Sequence, residues 1–155
     1  MNGSLFRTDS AHPAYRELVA LLDADLKIRD GDDHAFFAQY NKSDDIRNVV
    51  LFFNDNIALG CGAFKFFAPG TVEIKRMFVR PEHRGQRIAS QILTELELWA
   101  SELKYIECVL ETGIKQPEAI ALYQKSGYTR IPNYGQYENV ATSVCMTKIL
   151  AINHE

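Results

Sequence analysis

The chain has 155 residues, a length at which one compact domain removes roughly two thirds of the unfolded chain's surface from water. Hydrophobic residues make up 46% and charged residues 24%, values of an ordinary soluble globular protein rather than of a disordered or membrane-embedded chain. The formal net charge of -3 gives no basic footprint for nucleic acid or an anionic membrane, and it is compatible with a cationic amine as ligand.

Three widely spaced cysteines, Cys61, Cys108 and Cys145, each lie in or beside an apolar run, which reads as small buried hydrophobes in a reducing compartment. Met1-Asn2-Gly3-Ser4 lacks a basic stretch followed by an apolar one, and no apolar run reaches the roughly 18 residues of a membrane span. A cytoplasmic, soluble protein is therefore expected.

Along the chain, a short strand is expected at Leu5 to Thr8. A first helix is expected from Pro13 to about Lys27, where Leu18, Val19, Leu21, Leu22 and Leu26 recur at helical spacing. The polar segment Arg29 to Asp33 breaks the pattern, and Ala35-Phe36-Phe37 suggests a second, short helix. Val49 to Phe53 and Ile57 to Phe64, joined by Asn54-Asp55-Asn56, read as a hairpin. After the turn Ala68-Pro69-Gly70 comes a third strand, Thr71 to Val79. Its alternation puts Val72, Ile74, Arg76 and Phe78 on one face and Glu73, Lys75, Met77 and Val79 on the other.

The longest helix is expected from about Gly85 to Lys104, with Ile88, Ile92, Leu96, Trp99 and Leu103 along one stripe. A strand from Tyr105 to Leu110 follows. The next helix opens at Pro117 and is closed by Gly127, with Glu118 early and Lys125 late to suit the helix dipole. A last strand is expected at Ser143 to Ile149. Without repeats, linkers or low-complexity tracts, the elements describe a single α+β domain spanning residues 1–155.

The junction from Val79 to Ala89 joins a strand to a helix through Arg80-Pro81-Glu82-His83-Arg84-Gly85-Gln86-Arg87. Unpaired N–H groups and the positive end of the dipole make a helix start an anion site, and Gly85 lets a phosphate come close. Taken alone, these residues fit an ordinary solvated helix start equally well.

Together with the elements around it, this junction resembles the GNAT acetyltransferase superfamily. The family's Gln/Arg-x-x-Gly-x-Gly/Ala segment corresponds to Arg84-x-x-Arg87-x-Ala89, with Arg87 in place of the usual glycine, and its Asn-x-x-Ala-x-x-x-Tyr segment to Gln116, Ala119 and Tyr123. Leu110-Glu111-Thr112-Gly113 and Ser143-Val144-Cys145-Met146 look like a bacterial branch of small GNAT enzymes. The resemblance covers about Asn48 to Ile149. It implies a GNAT-like fold: a mixed, mostly antiparallel central sheet of six to seven strands, helices on both faces, and a splay between the fourth and fifth strands.

The resemblance also implies acetyl-CoA as donor co-substrate. Met77, Phe78 and Val79 would lie along the pantetheine, Arg84, Gly85, Gln86, Arg87, Ile88 and Ala89 at the pyrophosphate, and Gln116, Ala119 and Tyr123 beside them. Arg87 keeps its amide available to the pyrophosphate if its φ is helical.

Acetyl transfer to an amine needs a neutral nucleophile, a polarised carbonyl and a proton donor for the thiolate. By its match to the family, Tyr123 is the expected donor. By spacing alone it reads as a packed helix aromatic. Glu73 and Glu111, carboxylates in apolar strand surroundings, are equal candidates for the base, and a strand-surface ion pair between Glu73 and Lys75 is the competing reading.

Tyr134 and Tyr137 lie where the family often lines the acceptor pocket, and also suit a surface turn. No HExxH motif or cysteine cluster points to a metal. The bulky Tyr134, Tyr137, Phe36 and Phe37 favour a walled pocket and a small-molecule amine. The competing functions are a protein lysine or N-terminal acetyltransferase and a non-catalytic acyl-CoA-binding module. A homodimer is compatible with either.

Overall fold

The computed structural model describes residues 3–38 and 45–151. Strand β1 (Gly3–Thr8) leads into helix α1 (Pro13–Asp30) and, after a single 3-10 turn, the short helix α2 (His34–Ala38). Strands β2 (Asn48–Asn54), β3 (Ile57–Ala68) and β4 (Thr71–Val79) form an antiparallel meander. Helix α3 (Ile88–Glu102), strand β5 (Glu107–Gly113), helix α4 (Pro117–Lys125), strand β6 (Thr129–Ile131) and strand β7 (Ser143–Ile149) follow. The described residues make one seven-stranded sheet in the order β1-β2-β3-β4-β5-β7-β6, parallel only between β4 and β5.

Each face of the sheet carries its own core. Helix α1 starts at Pro13, whose missing N–H costs nothing at a helix's first position, and His12 Nδ1 caps it by accepting the Ala14 N–H at 3.0 Å. Its stripe of Tyr15, Leu18, Val19 and Leu22 packs on Val49, Leu51, Cys61, Ala63 and Phe78. On the opposite face Ile88, Ile92, Leu93, Leu96 and Ala100 of α3 pack on Val50, Phe52, Phe64, Val72, Ile74 and Val79. Burying side chains of this size stabilises the fold by about 1.5–3 kcal/mol each. The close seat of α3 explains Gly62: a Cβ there would lie 2.4 Å from Met77 Sδ and 2.9 Å from Ile92 Cγ2.

The two parallel strands part company. Pairing between β4 and β5 is confined to Thr71–Glu107, Val72–Cys108 and Glu73–Val109, after which β4 continues along β3 and β5 along β7. The edges Ile74–Val79 and Leu110–Gly113 therefore face each other across an opening without a hydrogen-bonded ladder. This is the splay expected between the fourth and fifth strands.

Three details differ from the pattern read in the sequence. Strand β4 carries a bulge: Cys61 pairs with Phe78 and Ala63 with Lys75, so one extra residue of β4 is accommodated, and Arg76 takes φ 59°. The alternation therefore flips. Val72 and Ile74 join the α3 core, Phe78 joins the α1 core instead of theirs, and Val79 returns to the α3 side. Strand β5 runs Glu107–Gly113 rather than Tyr105 to Leu110, because β7 pairs with it as far as Gly113–Ser143. Helix α3 begins at Ile88 rather than Gly85, because left-handed Arg87 caps it.

Candidate active site

The connection from β4 to α3 is built from backbone conformations that turn amides outward. A 3-10 turn over Pro81–His83 is followed by extended Arg84, then Gly85 at φ 81° and Arg87 at φ 64°. A tight turn with left-handed residues just before a helix can gather N–H groups into an anion-binding concavity, strengthened by the helix dipole. Gly85 adopts its φ without strain. Arg87 does not: its φ is left-handed, where the sequence pattern required a helical value, and that conformation costs an L-residue about 1 kcal/mol or more. Arg84 is held in place, its Nε donating to the Val79 carbonyl at 3.0 Å and its guanidinium lying 5.6 Å from the Phe78 ring centroid.

A cavity of about 530 Å³ fills the splay. It is lined by Met77, Phe78 and Val79 on β4, by Arg84, Gly85, Arg87, Ile88 and Ala89 at the start of α3, and by Gln116, Ala119 and Tyr123 on the side of α4. These expected residues are thus brought together. Gln86 is exposed and stands outside the lining, as do Glu73, Tyr134 and Tyr137. The sequence reading missed Lys75, Thr112 and His83 in the wall, and Asp25 and Glu118 at its rim.

At that rim charged side chains link α1 to both edges of the opening. Asp25 meets Arg84 at 3.9 Å and Arg29 at 3.3 Å, and Arg29 in turn meets Glu118 of α4.

The expected acid–base residues gather where β4 and β5 diverge. Glu111 is half-buried and lines the cavity. Loss of water pushes its carboxyl up to about 7, against smaller opposing contributions from the Ser143 hydroxyl and the Lys75 charge. Glu73 is 5% exposed and already engaged: Tyr134 donates its phenol to Oε2 at 2.7 Å, and Lys75 Nζ stands 3.9 Å from Oε1. Both readings of Glu73 thus meet in one residue, buried and ion-paired. Burial and the Glu73 carboxylate hold the Tyr134 phenol well above its usual range. Tyr137 packs with Phe37 and Cys145 behind this cluster, against Tyr134 at 6.0 Å between ring centroids.

Tyr123 is 6% exposed on α4 and lines the cavity. Burial first, and the Glu111 charge second, raise its pKa, so it keeps its proton at neutral pH. All three cysteines are buried free thiols, and burial pushes Cys61 and Cys108 up to about 12. Among the described residues no group of His, Cys, Asp or Glu is placed to hold a metal, and no helix is long and apolar enough to cross a membrane.

A parted parallel strand pair, an amide-lined loop before the next helix, and a buried acid and phenol at the parting point define an acyl-transfer fold. The chain belongs to the acetyltransferase (GNAT) family, whose model matches residues 12–128, and it is an acyltransferase.

It is 32% identical over 153 residues to the IAA acetyltransferase of Azospirillum brasilense, covering 96% of this chain and 99% of that one. A solved chain from Klebsiella pneumoniae assigned to the acyl-CoA N-acyltransferases superposes with a TM-score of 0.81 at 29% identity, over 97% of this chain and 99% of that one. The PaiA N-acetyltransferase of Thermoplasma acidophilum, solved in complex with coenzyme A, shares the fold at a TM-score of 0.71 and 17% identity, over 96% and 99%.

Proposed function

We propose that this acetyltransferase moves the acetyl group of acetyl-CoA to the primary amine of a small molecule, by direct attack in a ternary complex. The observation that carries this reading is the single cavity with a cationic, amide-lined end at Arg84–Ala89 and an acid–base end at Glu111 and Tyr123. Such a cavity suits coenzyme A along its length. The unpaired edges of β4 and β5 offer backbone groups to an amide-bearing pantetheine, with Met77, Phe78 and Val79 beside it. The loop amides and the guanidinium groups of Arg84 and Arg87 would hold the pyrophosphate, with Gln116 and Ala119 alongside.

At the other end, Glu111 accepts a proton from the incoming ammonium, because a carboxyl near 7 is half ionised at the working pH. The neutral amine nitrogen attacks the thioester carbonyl, a C–N bond forms, and charge builds on the carbonyl oxygen. Arg76 and Met77, bulged out of the β3 register and beyond the β5 pairing, present main-chain groups at that level. The C–S bond then breaks, Tyr123, held protonated by burial, supplies a proton to the departing sulfur, and the proton shed by the acylated nitrogen as it becomes an amide restores the phenol. Glu73 positions the wall through Tyr134 and Lys75 rather than taking the proton itself.

The aromatic cluster of Phe36, Phe37, Tyr134 and Tyr137 lies behind Glu73 and outside the cavity lining, so it bears on the acceptor only through the Tyr134–Glu73 contact.

Thiol release from acetyl-CoA, followed with a panel of amines, tests the reading. Acceptor-dependent release is expected, with Tyr123→Phe lowering kcat at least tenfold while changing the KM for acetyl-CoA little. Tight acetyl-CoA binding with no acceptor-dependent release would make the protein a binding module instead.

A further inference from the structure

The bulge in β4 lies on the wall of the cavity. Opposite the single residue Gly62 of β3 stand two residues of β4, Arg76 and Met77, just beyond Glu73–Val109, the last pair that β4 makes with β5. Both line the cavity.

Arginine is an unfavourable residue for that place. The backbone of Arg76 takes φ 59°, which glycine adopts freely and a residue with a Cβ does not. Its side chain is 1% exposed, and its Nε is buried with no hydrogen-bond partner among the described residues. The guanidinium is held through Nη2, which meets Oδ1 of Asp23 on α1 at 2.5 Å, and the Asp23 side chain is itself 54% exposed. An ion pair with a half-exposed partner returns little stability, so it does not offset both the left-handed strain and the unpaired buried donor. Local costs of this kind persist where one backbone geometry is held for a function.

The geometry held at Arg76 follows from its carbonyl. Cys61 of β3 donates its thiol to that carbonyl at 3.4 Å. The peptide joining Arg76 to Met77 is trans and planar, so its N–H points opposite to its C=O. With the carbonyl turned to β3, the Met77 N–H is turned away from β3, toward the side of β4 from which β5 has parted. A glycine at this position would leave the peptide the widest freedom to rotate, and an anchored arginine removes that freedom.

We propose that Asp23 and Arg76 are positioning residues: their ion pair, reaching from α1 to the bulge, locks the Arg76–Met77 peptide so that the Met77 N–H donates to the thioester carbonyl of bound acetyl-CoA. This rests on the acetyl-transfer reading and assigns the side chains that hold its carbonyl-polarising donor. The pair acts through the main chain, because a donor stabilises developing charge best when it is fixed beforehand.

Acetyl-CoA labelled with carbon-13 at the thioester carbonyl tests this in the binary complex, without an acceptor. A donated hydrogen bond polarises the C=O and moves the bound resonance downfield of free acetyl-CoA. Wild type should show that shift. Asp23→Ala and Arg76→Gly should lose most of it while still binding acetyl-CoA by calorimetry, and Asp23→Glu, which keeps the carboxylate, should retain it. In thiol release, Asp23→Ala and Arg76→Gly should lower kcat about 10- to 100-fold with little change in the KM for acetyl-CoA. Because Asp23 lies half-exposed on α1, Asp23→Ala reads the result even where Arg76→Gly does not fold.

A wild-type resonance at the free position, or a shift and a kcat unchanged in Asp23→Ala, overturns the assignment and leaves acetyl transfer standing. A fall in kcat with the shift intact also overturns it, since the pair would then act elsewhere than on the carbonyl. Absence of thiol release from wild type with every amine of the panel overturns the transfer reading, whichever shift is seen. A wild type that neither binds acetyl-CoA nor releases thiol overturns both.

Discussion

Arg87 sits where the backbone has φ 64°, a conformation that penalises any side chain with a Cβ. Arg87→Gly removes that strain but loosens the unfolded chain, and the two effects leave a net gain of about 0.5–1 kcal/mol in urea unfolding. A loss of stability would show that the arginine side chain contributes more than its backbone costs.

Glu111 carries a comparable tension. Its carboxyl titrates higher in the folded state, about 7, than in the unfolded chain, where it has its ordinary value near 4.5. Folding thus takes up a proton between those values. The stability associated with the protonated form is fully present below about 4.5 and is lost as pH rises through about 7. Glu111→Gln should therefore be the more stable protein above pH 7, by roughly 1–3 kcal/mol, with the advantage shrinking toward pH 4.5. Equal stability at pH 8 would contradict the burial assigned to this carboxyl. At this scale the placement of Tyr123 and Glu111 at the opening was legible, Tyr123 from the family match and Glu111 from its strand end, while their chemical roles belong to the proposal. Lys75 was not, because alternation places it beside Glu73 on what reads as a strand surface, and only the tertiary fold buries that face against the cavity.

Helix α1 contributes more to the cavity than its sequence suggests. Asp25 lies against Arg84, and Arg29 bridges Asp25 to Glu118, so α1 is tied to both the α3 and α4 sides of the opening. Partly exposed pairs of this kind are worth about 0–1 kcal/mol, and here they partly neutralise Arg84, a charge that the proposed reading gives to an entering pyrophosphate. Asp25→Asn should tighten acetyl-CoA binding about two- to fivefold by calorimetry, most at low salt. Weaker binding would mean that the strap organises Arg84 rather than competing for it.

On the other face, Gly62→Ala places a methyl group within 2.4 Å of Met77 Sδ and 2.9 Å of Ile92. The variant should lose about 1–3 kcal/mol of stability in thermal unfolding. Element order was readable from hydrophobic period and turn residues, and α1, β4, α4 and β7 lie where those signals put them. The end of β5 was less readable. Glu111, Thr112 and Gly113 are strand only because distant Ser143, Val144 and Cys145 pair with them. The three-residue, largely exposed β6 carries too little apolar pattern to be noticed.

The whole molecule turns a topological necessity into a site. A single parallel pair in an otherwise antiparallel sheet holds for three residue pairs and then opens, and each face of the sheet has its own helix layer to keep the opening from collapsing. The family pattern in the sequence pointed to that splay and to acetyl-CoA. The division of labour proposed for the two carboxylates was beyond it, because that proposal depends on Tyr134 reaching Glu73 across 61 positions of chain.

The most direct test is the pH dependence of kcat/KM for thiol release in wild type and Glu111→Gln. Proton acceptance by Glu111 predicts that wild-type activity rises with pH through an apparent pKa of about 7, and that Glu111→Gln loses this limb together with about 10²–10⁴ of the rate. A limb that persists in Glu111→Gln and disappears in Glu73→Gln would contradict it and move the base to β4.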